Sequence, residues 1–255
     1  MRVEALSGQH VIREALRARR RKLIRLSVLD ERGPGAAAEL RALGEAAGVP
    51  VETATRARLA ERAGPEARVQ SAVLEAGPLP EVSLEVLAAG EPGARRIVAL
   101  DGVEDPQNLG AVARVAEAAG VCGLLLTRHR APPLSPAVTR ASAGAIEHLP
   151  VARVTNLSRA LADLQAKGFW CFGADPQGGE DLFALPDRIL RGDVVLVLGA
   201  EGKGIRPLVA DGLDHRVRIP MAGRVASLNV STAAAVFLFE LLRRSGSPKG
   251  PSERD

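Results

Sequence analysis

The stretch VVLVLG, Val194–Gly199, is apolar throughout and lacks the polar alternation of a half-exposed strand. A strand with this pattern has to be covered on both faces, as in a parallel sheet lying between layers of helices. The sequence from Ile97 onward supplies the other parts of such a sheet. RIVALDGV reads as a strand leading into a helix over Asn108–Ala119, which Asn108 can cap and Gly120 can end. VCGLLLT is a further strand, followed by a proline-rich loop and the helical PAVTRASAGAIEH. LPVARVT, the helix NLSRALADLQAKG, the strands FWCFGAD and HRVRIP, and the closing helix STAAAVFLFELLRR complete the pattern. Strands alternating with helices predict an α/β fold with a mostly parallel sheet.

Residues 1–76 read as a separate, smaller α/β unit. Its first helix, SGQHVIREALRA, has Ser7 as the expected cap, and RVQSAVLEA is its last strand. Residues 77–95, rich in proline and glycine around one short helical piece, read as a linker. The second domain then spans 96–245, and 246–255 reads as a disordered tail.

With 46% hydrophobic and 25% charged residues, the chain can bury a substantial core. No run of about 18 apolar residues is present to span a membrane. The N-terminus MRVEALSGQHVIREALRARRRK lacks the apolar core of a signal peptide, so a cytoplasmic location is expected. His10, His129, His148 and His215 are scattered, and none stands at zinc-ligand spacing to another histidine or to Cys122 or Cys171. Chemistry without a bound metal and two free thiols are therefore expected. The net charge of +4 is mild, but RARRRKLIR concentrates cations near the N-terminus. Arg19, Arg20, Arg21 and Lys22 there are either a solvated helix end or a phosphate-contacting patch for RNA. Aromatic residues, at 2%, are too few for base stacking to be the main mode of any nucleic-acid binding.

Three stretches could carry chemistry. LVLGAEGKGIRP follows the buried strand, where ligands of parallel sheets bind. It fits neither a P-loop nor a dinucleotide fingerprint, and Glu201 within it would repel a phosphate. IPMAGRVASLNVSTAAA clusters Ser227, Asn229 and Ser231 where a strand end meets a helix N-terminus, a natural place for a polar ligand. Either Asn229 or Ser231 also suits the role of helix cap. DPQNLGAVARVAEAAG places Arg114 among alanines and valines, where a plain surface pair with Glu117 is the simplest reading.

In this order, NLGAVAR, VLGAEGKGI and IPMAGRVASLNVSTAAA resemble the three motifs of the SpoU (TrmH-type) branch of the SPOUT RNA methyltransferases, over Ile97 to about Arg244. RAPPLSPAVTRASAGAIEHLPVARVTNLSRAL also resembles the bacterial enzymes that methylate a guanosine ribose of 23S ribosomal RNA. The resemblance implies a catalytic domain with a deep trefoil knot, preceded by a small domain like ribosomal protein L30 that binds the RNA substrate. It further implies a homodimer that uses S-adenosylmethionine, held by Leu198, Gly199, Gly202, Ile219, Met221 and Leu228. Arg114 corresponds to the arginine proposed as general base in the family. Because a free arginine keeps its proton, stabilisation of a phosphate and of the developing alkoxide is an equal alternative. Asn108, Glu201, Ser227 and Asn229 match the remaining polar motif positions, with the expected task of orienting ribose, cofactor and Arg114. A transfer-RNA 2′-O-methyltransferase and a non-catalytic RNA-binding assembly protein on the same fold remain the alternatives.

Overall fold

The computed structural model describes residues 2–30, 35–65, 70–93 and 95–245, so the expected tail over 246–255 lies outside the described residues. The chain divides into two compact units. The first takes in Met1–Pro80 together with Leu109–Arg114 and Pro132–His148, and the second takes in the rest.

In the first unit the chain runs through β1 (Glu4–Ser7), α1 (Gln9–Ala18), β2 (Leu23–Leu29), α2 (Ala36–Ala46), β3 (Val51–Ala54), α3 (Arg56–Ala63) and β4 (Ala72–Ala76). The strands form one sheet in the order β1-β4-β2-β3. Strand β4 is antiparallel to both neighbours, and β2 is parallel to β3. Leu6, Leu26 and Leu74 of the sheet meet Ile12 and Leu16 of α1 and Leu40 of α2 in one buried cluster. Ser7 does not cap α1: it pairs with Val73 in the β1–β4 ladder. Gly8, at φ 99°, makes the turn into the helix instead, with no side-chain cap.

The basic run after α1 also departs from expectation. Arg19 ends the helix in the left-handed region and donates to the carbonyl of Ala46 at 2.9 Å. Arg20 is partly buried and points to the carbonyls of Glu147 and Pro80. Arg21 is buried, and its guanidinium bonds Glu147 at 2.8 Å, Glu4 at 2.6 Å and the Thr139 hydroxyl at 3.1 Å. The expected phosphate-contacting patch of Arg19, Arg20, Arg21 and Lys22 is therefore corrected at Arg21, which is buried. Arg21 turns inward to buried carboxylates and Arg20 to backbone carbonyls, while Arg19 and Lys22 are exposed.

The second unit contains α4 (Leu84–Leu87), β5 (Arg96–Asp101), the ends of α5 (Pro106–Ala118) and β6 (Gly123–Thr127). The next helix, α6 (Pro136–Ala141), belongs to the first unit. Its expected continuation through His148 is broken at Ala143 (φ 53°) and Gly144 (φ 91°). A side chain at Gly144 would place its Cβ 2.8 Å from that of Glu14, so only glycine fits. The second unit resumes with β7 (Val151–Val154), α7 (Leu157–Gln165), β8 (Trp170–Ala174), β9 (Glu180–Asp181), α8 (Asp187–Leu190), β10 (Val194–Gly199), α9 (Pro207–Ala210), β11 (His215–Arg218) and α10 (Val230–Arg244).

Seven strands make one sheet in the order β7-β6-β5-β10-β8-β11-β9, and all of their pairings are parallel. As its sequence requires, Val194–Leu198 is buried, with Val195 and Val197 packed among Leu157, Leu161 and Leu164 of α7. The expected linker 77–95 is partly structural. The Val82 amide donates to the carbonyl of Val151 at 2.9 Å, and Leu87 joins the same buried cluster as α7. Its apolar residues pack although its prolines and glycines suggest an open connection. Among the described residues no helix is long and apolar enough to cross a membrane.

Candidate active site

The carboxyl end of β10 turns at once into a tight loop. The Gly204 amide donates to the carbonyl of Ala200 at 2.8 Å, and Gly202 (φ 74°) and Gly204 (φ 65°) are both left-handed. Gly199 is held even more closely: a Cβ there would lie 2.1 Å from the carbonyl carbon of Gly204 and 2.3 Å from the nitrogen of Ile205. The loop exit is anchored by Asp101, the buried last residue of β5, which accepts from the Arg206 amide at 2.8 Å and from its Nε at 2.7 Å. Arg206 did not stand out in the sequence, where GIRP reads only as the end of a glycine-rich turn.

Two helix N-termini converge on this loop. Helix α5 starts two residues before the expected Asn108, with Asp105 as its cap accepting from the Gln107 amide and Pro106 in its first turn. The Asn108 side chain is thereby released from capping and donates through Nδ2 to Oε1 of Glu201 at 3.2 Å. Asn229 does cap α10. Its Oδ1 accepts from the Ser231 amide at 2.8 Å, while its Nδ2 donates to Glu201 at 2.7 Å and to Oδ1 of Asn108 at 3.2 Å. Asn108, Glu201 and Asn229 thus close a hydrogen-bonded triangle. The positive ends of α5 and α10 favour the negative charge of the Glu201 carboxylate.

Beside the triangle lies a cavity of about 750 Å³. Leu198, Gly199, Gly202, Ile219, Met221 and Leu228, the six expected cofactor-binding residues, all line it, together with Glu201, Ser227 and Asn229. Its volume suits a small-molecule ligand. Ser227 contributes to the wall and makes none of the triangle's bonds. Arg114 is exposed, six residues beyond Asn108 on α5, a step of about 9 Å along the axis and ~120° around it. Among the described residues its guanidinium has no ion pair, so the surface pair with Glu117 does not form. Cys122 and Cys171 are free, and burial pushes the Cys171 thiol up to about 12, far from a reactive thiolate.

The profile of the SpoU rRNA methylase family matches residues 95–239. The chain belongs to that family. It is 38% identical to the 23S rRNA (guanosine-2′-O-)-methyltransferase RlmB of Pseudomonas aeruginosa, over 94% of this chain and 96% of the relative. It is 41% identical to the RlmB of Ralstonia nicotianae, over 78% of this chain and 79% of that one. In structure it is similar to the AdoMet-bound rRNA methyltransferase of Sinorhizobium meliloti, at 26% identity and a TM-score of 0.76 over 96% of this chain and 89% of that one. The family match takes in all three motif stretches, so the triangle and the cavity both fall within it.

Proposed function

We propose that this SpoU-family chain transfers the methyl group of S-adenosylmethionine to the ribose 2′-hydroxyl of a guanosine in 23S ribosomal RNA. The observation that carries this reading is the convergence of Asn108, Glu201 and Asn229 at the rim of a cavity lined by all six expected cofactor residues. The names and identities of the relatives support the substrate.

The residues present fit the cofactor. Gly199 lets the backbone of the loop close on itself without a side chain between, leaving the Leu198–Gly204 edge open to the cavity. Ile219, Met221 and Leu228 offer apolar wall beside it. When bound, S-adenosylmethionine supplies an electrophilic methyl group. The chain then has to hold the ribose oxygen in line with that carbon while the hydroxyl proton passes to the RNA phosphate held by Arg114 or to water. Glu201, held by two amides, orients the groups at the rim, and Ser227 supplies a hydroxyl to the wall. Arg114 serves by binding an RNA phosphate and stabilising the developing alkoxide.

The same reading includes a homodimer, supported by Phe239, which stands 48% exposed on α10. It includes an L30-like, RNA-binding first domain and a cytoplasmic location. It also includes a deep trefoil knot formed by the loops after β10 and β11, an exception to the usual unknotted chain. The strand order supports the knot: β10 sits between β5 and β8, while the following β11 lies beyond β8.

The test is transfer of labelled methyl to unmodified ribosomal RNA with the product mapped. A ribose-methylated guanosine in 23S rRNA is the expected product. Tight cofactor binding without transfer to 23S rRNA, but with transfer to transfer RNA, would replace the substrate. Absence of both cofactor binding and transfer would overturn the enzyme reading. Gly199→Ala is expected to lower cofactor affinity at least about ten-fold, because the loop backbone has to move to admit the new methyl group. Calorimetric titration checks this, and wild-type affinity would show that the loop is not the cofactor's seat.

A further inference from the structure

The turn Arg128–His129–Arg130 follows β6 at the carboxyl edge of the seven-stranded sheet. All three side chains are exposed, yet the backbone beneath them is fixed. The Arg128 amide donates to the carbonyl of Val154 at 2.8 Å. The buried Thr127 hydroxyl donates to the carbonyl of His129, and Arg153 donates to the carbonyl of Thr127 at 3.4 Å. Arg130 stands at φ 63°, a left-handed conformation disfavoured for any residue with a Cβ.

Three arginines of the same unit are matched with carboxylates, Arg95 with Asp193, Arg153 with Glu81, and Arg206 with Asp101, while Arg159, Arg188, Arg218 and Arg224 are without an ion pair among the described residues. Among the described residues, Arg128 and Arg130 have no such partner. Strand β6 pairs with β5, and β5 pairs with β10. The turn therefore lies two strand spacings, about 10 Å, from the strand whose loop borders the cavity. It is on the edge of the sheet where ligands of parallel sheets bind.

We propose that Arg128 and Arg130 form a preorganised clamp for the phosphate backbone of the RNA, beside the nucleotide whose ribose is methylated. The inference rests on the reading of the substrate as RNA and adds to it the residues that grip the strand. Guanidinium forks suit phosphate oxygens, and a fixed turn loses little entropy on engaging them. Two guanidinium groups contact backbone charge, which positions the strand without reading its sequence.

The experiment uses the full chain and in-vitro-transcribed 23S rRNA. Affinity is measured across a salt series for wild type, R128Q, R128Q/R130Q and R128K/R130K, alongside S-adenosylmethionine affinity, melting temperature and methylation kinetics. The double glutamine variant is expected to lose about 1.4–1.8 from the slope of log affinity against log salt, and R128Q about half of that. The lysine pair is expected to keep the slope. KM for RNA should rise about ten-fold in the double glutamine variant with kcat unchanged, the pattern of a contact made equally in ground and transition states. Cofactor affinity and melting temperature should stay at wild-type values. A wild-type slope and KM in R128Q/R130Q, with wild-type methylation intact, would overturn the clamp alone. A wild type that neither binds nor methylates the RNA would overturn the functional reading and the clamp with it.

Discussion

Replacing Arg114 by alanine is expected to slow methyl transfer by about 10²–10³-fold while leaving cofactor affinity and melting temperature unchanged. The second half of that expectation comes from the surroundings of the side chain. Arg114 is exposed and has no ion pair among the described residues, so truncation removes no interaction that holds the fold. The first half comes from charge. The ribose oxygen gains negative character as its proton departs, and a fixed guanidinium stabilises that charge more in the transition state than in the ground state. The loss should therefore fall on kcat more than on KM for RNA. Arg114→Lys keeps the charge but not the planar fork, and should recover part of the rate. A wild-type kcat in Arg114→Ala would remove the residue from the reaction. A pure rise in KM would reduce it to a phosphate contact.

What the sequence disclosed follows the range over which each signal acts. Val194–Leu198 was legible because a strand buried on both faces has to be apolar at every position, and the structure buries it. The cap of α10 was legible to within two residues, Asn229 or Ser231, and Asn229, immediately before the helix, is the one that caps it. The start of α5 was misplaced because two capping residues compete within four positions. Asp105 followed by Pro106 defines the start, which leaves Asn108 for Glu201. The triangle itself joins residues 93 and 28 positions apart, a separation no periodicity encodes. It could be anticipated only through the motifs. Likewise, a run of arginines does not say which of them meets a carboxylate 126 residues away, as Arg21 meets Glu147. The linker failed on composition: proline and glycine mark turns, but Val82 and Leu87 decide whether the segment packs.

Arg21 carries the second large effect. Its side chain is 0% exposed, as is that of Glu147, and Glu4 is only 5% exposed. Burial opposes the guanidinium charge, but Glu147 and Glu4 more than offset this and hold its pKa above the ordinary value. Glu147→Ala would leave the buried cation with Glu4 as its one carboxylate, and is expected to cost about 3–5 kcal/mol. For a chain of this size that corresponds to a fall in melting temperature of roughly 6–20 °C. The single tryptophan, Trp170, lies in the second unit, so its fluorescence does not report on the first. Circular dichroism and amide hydrogen exchange over β1, β2 and α6 are the suitable measurements. The triple replacement Glu4→Leu, Arg21→Met, Glu147→Leu should be less harmful than Glu147→Ala, because it removes every buried charge together and leaves none unmatched. If Glu147→Ala cost less than about 1 kcal/mol, water would have to reach Arg21, and the cluster would not be what ties the basic run to the core of its unit.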